Sequence, residues 1–164
     1  MISLRRAKEG DIPSIRAIGT ITYGPTYVPL LGQEQVDYML DKFYSVAALT
    51  EQFIAGHIFL IAKEGSKDIG FASYQIIDAD YKVVKLHKLY VLPEAHGKGL
   101  GKLLINEVRD KAIDAGAKGL QLNVNRYNKA KDFYEKAGFK VKETVDIEIG
   151  NGFFMNDYVM ELSL

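Results

Sequence analysis

The sequence predicts one mixed α/β domain on a central mixed sheet of about six to seven strands, flanked by helices. Three observations carry this. Apolar residues recur at helical spacing through the first third of the chain. From Ile58 the period shortens to two. A strand then runs through a glycine-rich turn into an amphipathic helix, the start of a strand–helix–strand crossover. The expected order is β-α-α-β-β-β-α-β-α-β-β. A length of 164 residues suits one domain, and 48% hydrophobic with 26% charged residues is enough apolar material for a core.

Ile2, Leu4 and Arg6 alternate with their neighbours as a short first strand. Asp11 is placed to cap a helix, with Pro13 in its first turn and Ile12, Ile15 and Ile18 on its buried edge. Gly24-Pro25 and Pro29 predict a loop from Tyr23 to Gly32. Val36, Leu40 and Phe43 mark a second helix, and Ser45 caps a further one through Leu49 and Phe53 that stops near Gly56. Ile58–Ala62 and Ile69–Ile77 read as strands joined by a turn at Glu64-Gly65-Ser66-Lys67-Asp68. A second turn is expected at Asp78-Ala79-Asp80, before a third strand, Val83–Leu92. Leu100, Leu103, Leu104, Val108 and Ala112 form the apolar stripe of a strong helix ended by Gly116. Leu120, Leu122 and Val124 make a strand, and Ala130, Phe133, Tyr134 and Ala137 a short helix stopped at Gly138. Val141, Val145, Ile147 and Ile149, then Tyr158, Met160 and Leu162, close the chain as a strand pair.

Bulk composition excludes several functions. Lys plus Arg equals Asp plus Glu at 21 each, so no basic excess supports nucleic acid as the main partner. No cysteine is present, which removes disulfides, thiolate zinc sites and a cysteine nucleophile. Three scattered histidines give no metal pattern. Met1 to Arg6 is not followed by an apolar stretch of signal-peptide length, and no run reaches a membrane span. The expectation is a cytoplasmic protein with neither membrane nor metal.

The motif with most chemistry is His96-Gly97-Lys98-Gly99-Leu100-Gly101, between the strand ending Leu89-Tyr90-Val91-Leu92 and the amphipathic helix. Glycines at alternate positions let the backbone approach a ligand. Their N–H groups and the positive end of the helix dipole form an anion site, with Lys98 and Lys102 adding charge. A phosphate or pyrophosphate is the expected ligand; a tight turn without ligand is the bland alternative. A dinucleotide fold places such a turn after its first strand, not after a three-strand meander. A Walker loop needs a Gly-Lys-Ser/Thr triplet that is absent.

These residues resemble the GCN5-related N-acetyltransferase (GNAT) family. Its Gln/Arg-x-x-Gly-x-Gly/Ala block follows a strand ending much like Leu89-Tyr90-Val91-Leu92-Pro93. His96 stands where Gln or Arg is usual, at a position that contributes mainly through its backbone. Ala130-Lys131-Asp132-Phe133-Tyr134-Glu135-Lys136-Ala137-Gly138-Phe139 is similar to the family's second block. Leu86 to Val91, Phe133 to Lys136 and the tail Asn156 to Met160 are similar to the spermidine/polyamine branch. The resemblance implies one N-acetyltransferase domain over residues 1–164, with acceptor-side elements in 1–56 and the acetyl-CoA-binding core in 57–164. It implies acetyl-CoA as cosubstrate, without metal, and dimers are common in the family.

Site residues follow from the same resemblance. The backbone of Leu89, Tyr90 and Val91 would pair with the pantetheine arm, an N–H near Val91 or Leu92 facing the thioester oxygen. The turn from His96 through Lys102 would hold the pyrophosphate. Tyr134 aligns with the tyrosine that approaches the sulfur; a free phenol, pKa about 10, can donate at neutral pH. Its alternative is a core tyrosine beside Phe133. Asn128 is assigned to the cofactor side, with Asn125 as rival and helix capping as the alternative. His87 lies where relatives carry a glutamate base, and an imidazole near pKa 6.5 can do that work; a packed strand histidine is the other reading. Tyr23, Tyr27, Tyr38 and Tyr44 with Glu34, Asp37 and Asp41 would suit a cationic amine, or form a solvated face over core aromatics. The expected reaction is acetyl transfer to a primary amine by direct attack in a ternary complex, a polyamine being the first choice of acceptor. Acetylation of a protein N-terminus or lysine, and a non-catalytic acyl-CoA sensor, are the alternatives.

Overall fold

The computed structural model describes residues 1–78, 80 and 82–164. Its elements are β1 (Ile2–Arg6), α1 (Ile12–Leu31), α2 (Gln33–Tyr44), α3 (Val46–Ile54), β2 (Ile58–Glu64), β3 (Lys67–Asp78), β4 (Val83–Val91), α4 (Leu100–Asp114), β5 (Gly119–Asn125), α5 (Ala130–Lys136), β6 (Lys140–Gly150) and β7 (Phe153–Ser163). The strands form one mixed sheet in the order β1-β2-β3-β4-β5-β7-β6. β4 and β5 run parallel, which requires the crossover that α4 supplies.

Three helices separate β1 from β2, including the one expected after Ser45, although the expected element order counted two. Ser45 makes the break as expected: its extended backbone ends α2, and its Oγ accepts the Ala48 N–H at 3.1 Å to cap α3. The loop expected from Tyr23 to Gly32 is helical instead, with Pro25 and Pro29 inside α1. An internal proline costs about 3 kcal/mol in isolation. Here Gly19, Thr22 and Tyr23 are buried, so tertiary packing holds the turn that propensity would break. The Thr22 and Thr26 hydroxyls donate to the Ile18 and Thr22 carbonyls at 2.7 and 2.9 Å. Gly32, at φ 85°, ends the helix.

Smaller differences have similar causes. The β2–β3 turn shrinks to Gly65-Ser66, because Glu64 already pairs with Lys67. Leu103 is 41% exposed while Ile105 takes a buried place on α4. Asp11 opens α1 but serves Arg5 and the Lys8 N–H rather than capping with its side chain. β6 is an edge strand, so Val141 and Ile147 stay partly exposed and only Ile149 of the expected set is buried. Of the turn expected at Asp78-Ala79-Asp80, Ala79 lies outside the described residues, and Asp78 ends β3.

The chain forms two compact units. The first is Met1–Gln75 with Lys88–Val108; the second is Ile76–His87 with Arg109–Leu164. The first buries Ile15, Leu49, Phe59, Ile61, Phe71 and Leu104. The second buries Val84, Leu86, Leu120, Leu122, Val124 and Met160.

Gly19 sets the α1–α2 contact. A Cβ there would lie 2.3 Å from the ring of Tyr44, which is only 2% exposed. Gly19→Ala should destabilise the protein by about 1–3 kcal/mol through overpacking. A urea midpoint equal to that of the wild type would show that the ring yields without cost.

Candidate active site

In the first unit, β4 leads directly into the glycine turn. The Leu92 N–H donates to the Ile69 carbonyl at 2.8 Å, holding the end of the segment to β3. Backbone donors alternate sides along a strand, so the Val91 N–H points the other way. Of the two N–H groups expected near a thioester, Leu92's is therefore already committed. A 3-10 turn, Pro93–Ala95, follows. The His96 ring N–H at Nε2 then donates to the Val91 carbonyl at 3.0 Å. The side chain that departs from the family pattern thus ties the turn back to its strand.

Gly97 and Gly99 adopt φ of 83° and 75°, in the left-handed region. Other residues are strained there. A Cβ at either position would meet nothing within 4 Å, so the glycines serve conformation and leave open space in front of the turn. The Gly99 carbonyl accepts the Leu103 N–H at 3.0 Å, the first bond of α4. The helix's first N–H groups have no intrahelical acceptor, and they face outward with the positive end of its dipole. Leu100, 2% exposed, anchors the turn in the core; Gly101 is half-buried and Lys102 exposed. Lys98 lies 2.9 Å from a Glu64 carboxylate oxygen, in an exposed pair worth little stability. The backbone donors of the turn stand beside this pair.

The β4–β5 ladder runs from Val83↔Gly119 to Leu86↔Leu122. The remaining residues of β4, His87 to Val91, lie beyond that register. Gly70 makes the neighbouring approach close: its Cβ would stand 3.0 Å from the Tyr90 carbonyl.

The tyrosines expected over the acceptor gather around Tyr90. Tyr23 lies 4.5 Å from Tyr27, 5.7 Å from Tyr44 and 6.1 Å from Tyr90, between ring centroids. Burial pushes the phenols of Tyr44 and Tyr90 well above their ordinary range. Glu34, Asp37 and Asp41 are exposed on α2, and Tyr38 is 5.8 Å from its neighbour Lys42. Lys88, half-buried, places Nζ 5.1 Å over the Tyr44 ring and donates to Gln52 Oε1 at 3.1 Å. Desolvation lowers its pKa to about 8. Burial, then the Lys88 charge, also lowers that of His57. The sequence reading passed over Lys88 although a lysine two residues before Tyr90 on an apolar strand was its visible signal.

In the second unit, His87 is exposed on β4. Tyr134 is buried on α5, 9% exposed, with edge-on ring contacts to Phe133 at 5.3 Å and Phe139 at 5.8 Å. Asn125 Oδ1 accepts the Tyr127 N–H and Asn128 Oδ1 accepts the Ala130 N–H, each at 2.9 Å. Both asparagines thus brace the loop into α5. A polar set not anticipated from sequence surrounds Asp157, 4% exposed. Asn123 donates to it at 3.4 Å and receives a hydrogen bond from Lys85. Desolvation raises the Asp157 pKa against the opposing effects of Asn123, Lys85 and Arg126. Among the described residues no group of three or more His, Cys, Asp or Glu is placed to hold a metal, and no helix is long and apolar enough to cross a membrane.

Comparison with known proteins agrees with this anatomy. Residues 55–141 match the acetyltransferase (GNAT) domain profile. An N-acetyltransferase of Mycobacterium tuberculosis is 32% identical over 152 residues, covering 92% of this chain and 96% of the relative. The spermidine N(1)-acetyltransferase of Thermoplasma acidophilum is 28% identical over 149 residues, 87% of this chain and 91% of that one. The crystal structure of the PaiA N-acetyltransferase from Thermoplasma acidophilum in complex with coenzyme A superposes with a TM-score of 0.84 at 26% identity, covering 100% of this chain and 99% of that chain. The chain belongs to the GNAT family of N-acetyltransferases, whose acetyl donor is acetyl-CoA.

The enclosed lysine has a measurable signature. Its folded pKa, about 8, lies below the ordinary 10.5, so folding below pH 8 confines a charge that the unfolded chain keeps in water. The unfolded state binds more protons between these values, so stability should rise with pH across that window. The rise should shrink in Lys88→Met. An identical pH profile in the variant would place the ammonium in open water.

Proposed function

We propose that this enzyme transfers the acetyl group of acetyl-CoA to the primary amine of a small molecule, by direct attack in a ternary complex. The observation that carries the reading is the run from the part of β4 beyond its ladder into a left-handed glycine turn with open space before it. These residues fit the cosubstrate. The N–H groups opening α4 would take the pyrophosphate, and Gly97 and Gly99 leave room for it. The backbone of Leu89, Tyr90 and Val91 would hold the pantetheine amides, with Val91 N–H the donor toward the acyl oxygen. Bound there, acetyl-CoA supplies an acetyl group activated as a thioester.

Two side chains complete the assignment. His87, directly or through water, accepts the proton that the amine loses as its nitrogen bonds to the acetyl carbon. Tyr134 gives its hydroxyl proton to the departing sulfur, and its ring contacts fix the direction of that hydroxyl. The spermidine acetyltransferase relative supports a polyamine as one acceptor class within this reading. Residues 1–56 would form the acceptor side and 57–164 the cofactor core of one domain.

Gly99→Glu sets a carboxylate and a strained backbone where the anion binds. Calorimetric affinity for CoA should be lost; binding equal to wild type would overturn the pyrophosphate assignment. Tyr134→Phe should lower kcat by about 10²-fold with acetyl-CoA affinity retained, and His87→Gln should remove the acidic limb of the kcat–pH profile. Profiles and kcat matching wild type would remove these residues from the chemistry.

A further inference from the structure

The aromatic group in the first unit carries a cation, Lys88, on the face of Tyr44. Lys88 Nζ touches an amide oxygen, Gln52 Oε1, and the face of Tyr44. Among the described residues no carboxylate pairs with it. His57, whose protonated form the Lys88 charge disfavours, can add only positive charge. An ammonium removed from water and met only by neutral groups is costly unless an anion arrives. The half-buried side chain is still partly open to solvent, so a ligand can reach it. Tyr44, whose face the ammonium meets, packs in turn with Tyr23 and Tyr90, so the ring group beside Lys88 is apolar.

We propose that Lys88 reads a carboxylate on the acceptor, so that the enzyme acetylates amines that also carry an anion, such as amino acids with apolar side chains. This rests on the small-amine reading above and narrows it. Gln52 orients the ammonium. A polycationic amine would bring like charge against Lys88, which disfavours it. The carboxylates that would suit a polyamine stand instead on the solvated side of α2.

The test is steady-state kcat/KM for matched pairs: L-leucine against L-leucinamide and L-phenylalanine against L-phenylalaninamide, with spermidine as the cationic probe. The amide's amine is the less basic and more often neutral at pH 8, so chemistry alone favours the amide. A tenfold preference for the acid must therefore come from recognition of the carboxylate. We expect that preference in the wild type, and its fall toward unity in both Lys88→Met and Lys88→Gln. The second variant keeps a polar tip should the first fold poorly, and circular dichroism melting checks both. A wild type that favours the amides or spermidine overturns the proposal, as does a folded variant that keeps the preference. Turnover of amines without carboxylate discrimination refutes the Lys88 role alone. No turnover of any amine, with acetyl-CoA still bound, refutes the small-amine reading and this inference with it.

Discussion

The junction between β4 and α4 depends on three hydrogen bonds. Leu92 N–H to Ile69 holds the end of the strand segment, the His96 ring to Val91 folds the chain back, and Leu103 N–H to Gly99 starts the helix. Between them the chain passes twice through the left-handed region, at Gly97 and Gly99. Only a backbone pinned on both sides holds two such residues in one orientation. Because it is pinned, the N–H groups that open α4 are aimed before any anion arrives. Preorganised donors lose little order on binding, which makes a few backbone dipoles effective.

This frame gives the neighbouring side chains their meaning. Lys98, which adds charge to the turn on paper, is matched by Glu64. Tyr90, on the strand that feeds the turn, serves twice: its backbone runs along the proposed cofactor path, and its ring packs with Phe71, Tyr23 and Tyr44. The same strand places Lys88 against those rings. In the second unit Tyr134 is both the core tyrosine and the candidate acid. Burial among Phe133 and Phe139 is what would hold its hydroxyl steady, so the two readings merge rather than compete.

Much of the fold was legible. The strands, the amphipathic α4 and the closing hairpin follow from local periodicity, which acts over a few residues and is written in them. Gly56, Gly116 and Gly138 stop their helices with positive φ as read, because no distant contact is needed to favour glycine there. Two prolines inside α1 misled the reading, since burial of Thr22 and Tyr23 is a tertiary effect that outweighs propensity. Tyr23 was picked out from sequence, but its contact with Tyr90 joins segments more than sixty residues apart.

By itself, then, the sequence determined the class: a mixed α/β domain whose glycine turn and Tyr134 block mark an acetyltransferase, because both motifs are short and their chemistry is local. Tertiary structure alone decided how the turn is served. It committed the Leu92 N–H to Ile69, gave His96 a tethering role and matched Lys98 with Glu64. It also set the Lys88 ammonium on the face of Tyr44. The reason is physical. Which donor is already spent, and which charge is already paired, depends on residues that meet only when distant strands and helices pack, and no spacing along the chain records it.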